Sequence, residues 1–222
     1  MMTNLFSIFD PSTPNFMSMN WLSIPLVLLL ISYPYWTNSS RHKSLLLNLT
    51  SFILTQLSPL MKKSELSLII PIATMICILM NNLMGLLPYI FTASSHMSFT
   101  LALALPLWLG SLLYGWTASP STMLAHLIPP GTPPALMPFM TLIESISTLI
   151  RPITLSIRLA ANMVAGHLLL VLLNSAFIIA NMYSIPVVFI SALLLSILEM
   201  AVAFIQAYVF SVLLTLYSAE MI

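Results

Sequence analysis

Charged side chains are almost absent from this sequence, and their scarcity limits its fold more than any other feature. The chain has 222 residues, of which six are Lys or Arg and five are Asp or Glu. That is 5% of the chain, against about 25% in an ordinary soluble domain. A soluble globule needs charge on its surface, and the mean hydropathy here is +1.05. We therefore expect an all-α integral membrane protein.

The composition also excludes several kinds of site. The net charge of +1 argues against nucleic acid as a partner. Cys77 is the single cysteine, which excludes an internal disulfide and a metal site made of several thiolates. Only five glycines are present and no GxxxxGK[ST] loop occurs, so we expect no nucleotide site, no other cofactor and no metal.

Apolar segments divide the chain into about five predicted crossings and one surface helix, all within a single membrane domain that covers residues 1–222. The predicted crossings are 20–36, 66–91, 97–118, 135–183 and 185–218. Segment 44–60 alternates apolar with polar residues between basic flanks, so we predict an interfacial amphipathic helix there. The Pro-rich segment 119–134 is predicted to be a loop, in which the run IPPGTPP cannot be helical.

The last two apolar segments are too long for upright crossings. As helices they would measure about 74 and 51 Å, whereas the hydrocarbon is about 30 Å thick. We predict two long, tilted helices that form an antiparallel hairpin, turn near residues 181–186 and are broken or kinked at Pro152. Two upright crossings with long interfacial extensions fit the hydropathy equally well.

The basic residues predict the orientation. Four of the six Lys and Arg residues lie between positions 37 and 65, so this region is expected on the inner side of the membrane. With five crossings, the N-terminus then lies outside and the C-terminus inside.

Four charged residues remain inside the predicted hairpin, where each costs about 2.5–3.5 kcal/mol to insert near the bilayer centre. Glu144, Arg151 and Arg158 are each seven residues apart, so a helix places them on one face. Asn162 follows on the same stripe, and the fourth charge, Glu199, lies on the second arm. Glu144 and Arg151 alternatively form only a pair within the helix.

Arg158 has no acid near it in the sequence. Small residues surround it at Ala160, Ala161, Ala165 and Gly166, and such residues let another helix approach closely. We therefore expect Arg158 to face a partner helix that carries a carboxylate.

Residue counting predicts two polar pairs across the hairpin. His167 and Glu199 are both sixteen residues from a turn at 183, so they lie at the same level. Arg158 and Gln206 are also nearly level, at a different depth. A histidine beside a carboxylate can relay a proton, although both pairs alternatively serve only as interhelical hydrogen bonds.

These same residues carry a family resemblance. The stretch ESISTLIRPITLSIRLAANMVAGHLLL, residues 144–170, resembles subunit a of F-type ATP synthases, and so does LEMAVAFIQAYVFSVL, residues 198–213. The start MMTNLFSIFDPST and the segment NNLMGLLPYIFTASSH resemble the mitochondrial form from animals.

The resemblance implies a role for each polar residue. Arg158 would be the essential arginine of proton translocation, with Asn162 and Gln206 as polar residues near it. His167 and Glu199 would line an outer half-channel, and Glu144 would lie near an inner one.

The resemblance also implies partners and a location. The chain would be a non-catalytic stator subunit beside a rotating ring of c subunits, whose carboxylates lie in mid-membrane. It would contact a peripheral stalk, other membrane subunits and lipid in the mitochondrial inner membrane, with its N-terminus in the intermembrane space and its C-terminus in the matrix. Two other functions compete with this one. A secondary transporter would need repeated halves, which the sequence lacks, and a purely structural subunit would tolerate loss of the buried polar pairs.

Overall fold

The computed structural model describes residues 5–12, 18–30, 40–61, 68–87, 89–128 and 131–221. Within these ranges the chain forms helices and turns but no strand, which confirms the predicted all-helical fold. The α-helices are α1 (Ser23–Leu30), α2 (Arg41–Leu57), α3 (Ile69–Gly85), α4 (Met97–Ala118), α5 (Pro120–His126), α6 (Met137–Ile179) and α7 (Ile185–Met221). Short 3-10 turns lie at Leu5–Phe9, Met19–Leu22, Ser58–Leu60, Ala93–Ser95 and Pro134–Leu136.

Three of the described helices, α4, α6 and α7, are long and apolar enough to cross a membrane. Helix α3 is also apolar, but its 17 residues span only about 25 Å. It is shorter than the predicted crossing 66–91, because Pro88 follows three residues after Gly85 and a helix normally ends before a proline. The chain then turns at Tyr89, whose φ is 68°.

The first predicted crossing, 20–36, is described only in its first half. A 3-10 turn at Met19–Leu22 leads directly into α1, which the structure describes as far as Leu30. Residues 31–39 lie outside the described ranges, and so do the basic residues Lys62 and Lys63.

Helix α2 corresponds to the predicted interfacial helix 44–60. Its first turn is capped by Ser40, whose hydroxyl oxygen accepts a hydrogen bond of 3.3 Å from the backbone N–H of Lys43. Ile53 and Leu57 are buried against the core, whereas Leu45 and Phe52 are exposed. The helix therefore contacts the rest of the chain along a narrow stripe.

The prediction that 119–134 is a loop is wrong in its first half. Helix α5 occupies Pro120–His126, because a proline in the first turn lacks only an N–H that has no partner there. The second half of the segment contains Gly131, whose φ of 96° suits glycine, and leads through the turn Pro134–Leu136 into α6.

The antiparallel hairpin of two long helices is confirmed. Helices α6 and α7 have 43 and 37 residues, or about 65 and 56 Å. Between them, the backbone N–H and the hydroxyl of Ser184 each donate a hydrogen bond of 2.9 Å to the carbonyl oxygen of Asn181. Of the two alternatives predicted at Pro152, a break or a kink, the break does not occur, since α6 continues through this buried proline.

Helices α3, α4, α6 and α7 pack together around the apolar core. The buried core side chains include Leu57, Ile78, Ala104, Leu159, Ala207 and Phe210. Near the turn of the hairpin the large apolar side chains are instead exposed, as at Val187, Leu194 and Ile197. An apolar surface of this extent is suited to lipid or to another membrane subunit.

Candidate functional site

The hairpin brings His167 and Glu199 to one cavity of about 210 Å³. Asn162 and Met163 of α6 also line this cavity, together with Leu86 at the end of α3. The shared depth of His167 and Glu199 follows from the regular rise of two antiparallel helices around a short turn.

Gly166 allows the carboxyl group of Glu199 to lie directly against α6. A Cβ atom at position 166 would be 2.9 Å from Glu199 Oε1 and 3.1 Å from its carboxyl carbon. Real Cβ atoms do not approach other atoms this closely, so any larger residue at position 166 would displace Glu199. The sequence indicated close packing at this glycine but not its partner.

The polar atoms of this site have no hydrogen-bond partner among the described residues. These atoms are His167 Nε2 and both carboxyl oxygens of Glu199, whose side chain is only 8% exposed. A buried polar group without a partner costs about 1–3 kcal/mol, and such groups in native proteins usually serve a function or bind water. The site therefore presents an imidazole and a carboxyl, both able to exchange protons, with unused hydrogen-bonding capacity.

The N-terminal turn Leu5–Phe9 packs against α6 at His167, which the sequence did not predict. The ring of Phe9 meets the ring of His167 edge to face, with centroids 6.4 Å apart and an interplanar angle of 81°. No sequence signal marks this contact, because it joins residues more than 150 positions apart.

Arg158 and Gln206 lie together in a shallow groove at a second level of the hairpin. Leu155, Leu159 and Phe210 form its apolar walls. The side chain of Arg158 is exposed on the surface of α6, and no carboxylate of the described residues lies within ion-pair distance. Its positive charge is therefore not paired with any carboxylate in the described part of the chain.

Glu144 and Arg151 form the ion pair that the seven-residue spacing allowed. Arg151 Nη2 lies 3.6 Å from Glu144 Oε1, and its guanidinium lies 5.2 Å above the ring of Tyr217 on α7. Both residues line a larger cavity of about 550 Å³, which also contains His126 of α5 and Trp108 of α4. No sequence pattern predicted that His126 and Glu144 would line one cavity.

A buried polar cluster lies where α3 meets the turn Ala93–Ser95, and it was not predicted as a site. Asn82 is 0% exposed, and both polar atoms of its side chain lack a partner among the described residues. The neighbouring Asn81 differs, because its amide nitrogen donates to the carbonyl oxygen of Cys77 at 2.9 Å. The sequence signal was the Asn81–Asn82 pair in an apolar helix. In the described ranges no group of three potential ligands forms a metal site.

These features define a class of protein: a multi-helix membrane protein with ionisable groups inside its two long helices. The family model "ATP synthase A chain" matches residues 16–219. Two proteins named ATP synthase subunit a, from Anopheles quadrimaculatus and Drosophila melanogaster, are each 50% identical to this chain, with 99% of both chains covered. A third protein of that name, from Artemia franciscana, is 49% identical over 99% of this chain and 100% of its own. The chain belongs to the ATP synthase A chain family.

Proposed function

We propose that this chain is the proton-translocating stator subunit of a rotary ATP synthase in the mitochondrial inner membrane. Family membership supports the assignment. The observation that supports it most directly is that the polar groups of the hairpin lie at three separate positions along α6. Unpartnered His167 and Glu199 line one cavity, Glu144 lines another, and exposed Arg158 lies between them along α6.

The exposed face around Arg158 suits a ring of c subunits that carry carboxylates at membrane depth. An arginine remains positively charged at any physiological pH, and in apolar surroundings it requires an anionic or polar partner. The exposed Ala161 and Ala165 beside it allow a partner helix to approach closely. The charge and the small residues together are complementary to a passing carboxylate.

Protons would enter from the intermembrane space through the cavity of His167 and Glu199. Transfer of a proton to a ring carboxylate neutralises it, and a neutral carboxyl can move through lipid at far lower cost than an ionised one. After nearly a full turn, the carboxyl loses its proton to the matrix through the cavity beside Glu144. Arg158 then attracts the carboxylate and blocks direct proton flow between the two half-channels.

In this mechanism Asn162 and Gln206 position water and the arginine. Asn162 lines the cavity of His167, whereas Gln206 lies in the groove of Arg158. This chain carries out no nucleotide chemistry itself but couples proton flow to rotation. The exposed apolar surfaces of α2 and of the hairpin turn would contact lipid, the peripheral stalk and other membrane subunits.

Replacement of the exposed arginine tests the proposal. Arg158→Gln in the assembled complex should abolish proton-driven ATP synthesis, a loss of at least about a hundredfold. Arg41→Gln, which removes the same charge from the start of α2, is the matched control and should retain synthesis. The measurement is ATP synthesis in vesicles under an imposed proton gradient. Normal synthesis by a fully assembled Arg158→Gln complex would overturn the proposal and favour a purely structural role.

A further inference from the structure

Two arginines share one face of α6 but differ in their surroundings. Arg151 and Arg158 are seven residues apart, which is nearly two helical turns and about 10 Å along the helix axis. Arg158 is exposed, and no carboxylate of the described residues lies within ion-pair distance of it. Arg151 is half-buried and forms an ion pair. One face of α6 thus carries a paired arginine and an arginine that no described carboxylate neutralises.

The guanidinium of Arg151 is held by contacts from two helices. Its Nη2 atom lies 3.6 Å from Oε1 of Glu144, which is on α6 itself. Its central carbon lies 5.2 Å from the centre of the Tyr217 ring, which belongs to α7. A guanidinium within about 6 Å of a ring centre is attracted to the face of the ring. The carboxylate neutralises the charge of Arg151, and the ring restrains the direction of its side chain.

A released Arg151 could extend onto the exposed face of α6. Arginine is a long side chain with many rotamers, so it stays in one position only where contacts restrain it. Thr154 lies between the two arginines on this face and is exposed, so the surface beside Arg151 is open. The contacts with Glu144 and Tyr217 therefore decide whether the charge of Arg151 reaches this surface.

A second free cation on this face would compete with Arg158 for a passing carboxylate. Opposite charges attract each other more strongly in apolar surroundings than in water, so an ion pair formed there separates slowly. Arg151 lies about two helical turns closer to Glu144 than Arg158 does. A carboxylate bound by Arg151 would therefore be held at the wrong depth, beside the cavity of Glu144.

We propose that Tyr217 is a positioning residue that, together with Glu144, keeps Arg151 away from the carboxylates of the ring. Arg158 then receives each carboxylate after it has lost its proton. This inference rests on the proposed function, because it requires a ring of carboxylates that passes α6. It assigns roles to Tyr217 and Arg151, neither of which has one in the proposed path of the proton.

Removal of the aromatic ring tests the inference. Tyr217→Leu should release Arg151 for part of the time. A cation–π contact at a partly exposed site changes an equilibrium about twofold to fivefold, and proton-driven ATP synthesis should fall by about that factor. Tyr217→Phe keeps the aromatic face and is the matched control, so it should retain the wild-type rate. The measurement is ATP synthesis in vesicles under an imposed proton gradient, with equal amounts of assembled complex.

Removal of the arginine should cancel the effect of Tyr217→Leu. Arg151→Gln alone should keep most of the rate, because it removes the competing charge and leaves Arg158 in place. The double variant, Tyr217→Leu with Arg151→Gln, should be as fast as Arg151→Gln alone. A ring that served only for packing would give no such rescue, because the packing defect would persist without the arginine.

Three results would overturn the inference. They are an unchanged rate in Tyr217→Leu, a double variant no faster than Tyr217→Leu, and a severe loss in Arg151→Gln, which would give Arg151 a direct role in proton flow. Tyr217→Met, which keeps a long apolar side chain, replaces Tyr217→Leu if that variant does not assemble. Failure of both to assemble would make Tyr217 a structural residue and would also overturn the inference.

A separate variant distinguishes failure of this inference from failure of the proposed function. Normal synthesis by an assembled Arg158→Gln complex would overturn the proposed function. Loss of synthesis in Arg158→Gln, combined with no rescue of Tyr217→Leu by Arg151→Gln, would overturn only the role of Tyr217.

Discussion

Gly166 determines how closely α6 and α7 approach beside the buried carboxyl of Glu199. The missing side chain leaves a space that the Glu199 carboxyl fills, and this contact places the carboxyl against the residue that precedes His167, in the cavity that both side chains line. A glycine inside a helix is ordinarily unfavourable by about 0.5–1 kcal/mol relative to alanine. Its presence here is explained by the close approach that the site requires.

Gly166→Ala should therefore impair proton flow by moving Glu199 rather than by unfolding α6. We expect proton-driven ATP synthesis to fall about tenfold or more, because small misplacements of reacting groups reduce rates strongly. Gly110→Ala on α4 is the control, since a Cβ atom there meets nothing within 4 Å. Equal rates for the two variants in assembled complexes would show that the Gly166 contact does not position Glu199.

The contributions of His167 and Glu199 to proton-driven ATP synthesis should also depend on each other. Each single exchange, His167→Glu or Glu199→His, leaves two like groups in the cavity and should lower ATP synthesis severely. The double exchange restores one imidazole and one carboxyl, so we expect it to be milder than either single change. The comparison requires the rate of ATP synthesis for all three variants at equal assembly. A double exchange whose loss equals the sum of the single losses would show that the two residues act independently.

The N-terminal turn Leu5–Phe9 is a short element with a long-range role. It packs against α6 at His167, where Phe9 supplies the edge-to-face contact, and Phe6 in the same turn is 66% exposed. An aromatic contact of this type contributes about 0.5–1.5 kcal/mol, which is roughly twofold to tenfold in an equilibrium. The turn therefore restrains the imidazole without bonding to it.

Phe9→Ala should lower proton-driven ATP synthesis about twofold to tenfold, because the ring of His167 would lose this restraint. Phe6→Ala removes an identical side chain from the exposed side of the same turn and should have little effect. The two rates are compared in vesicles with equal amounts of assembled complex. Indistinguishable rates would mean that the turn does not position His167.

At the level of elements, the sequence predicted the features that follow from the regular geometry of an α-helix. The hairpin and its turn followed from the length of two apolar segments, and the common depth of His167 and Glu199 followed from residue counting. The end of α3 and the short helix α5 were misjudged, since hydropathy alone does not show where prolines start or stop a helix. The contact of Phe9 with His167 depends on tertiary packing, which no local pattern encodes.

Across the whole molecule, most of the few charges belong to one of two groups with different physical roles. Arg41 and Lys43 begin α2, outside the hairpin, and basic residues of this kind set the orientation of a membrane protein. The charges of the hairpin instead lie beside cavities or on its exposed face. In the proposed mechanism, protons reach His167 from the side of the membrane opposite the basic region. The position of the basic residues must therefore match the direction of proton entry.

The orientation of the chain therefore also predicts the side of the membrane from which protons enter. The N-terminus should face the intermembrane space and the C-terminus the matrix, since an odd number of crossings places the two ends on opposite sides. A protease added to mitoplasts should remove an epitope tag at the N-terminus and leave one at the C-terminus intact. In inverted vesicles the pattern should be reversed. Protection of the N-terminal tag in mitoplasts would place Phe9 and the cavity of His167 on the matrix side, and the proposed direction of proton entry would then be wrong.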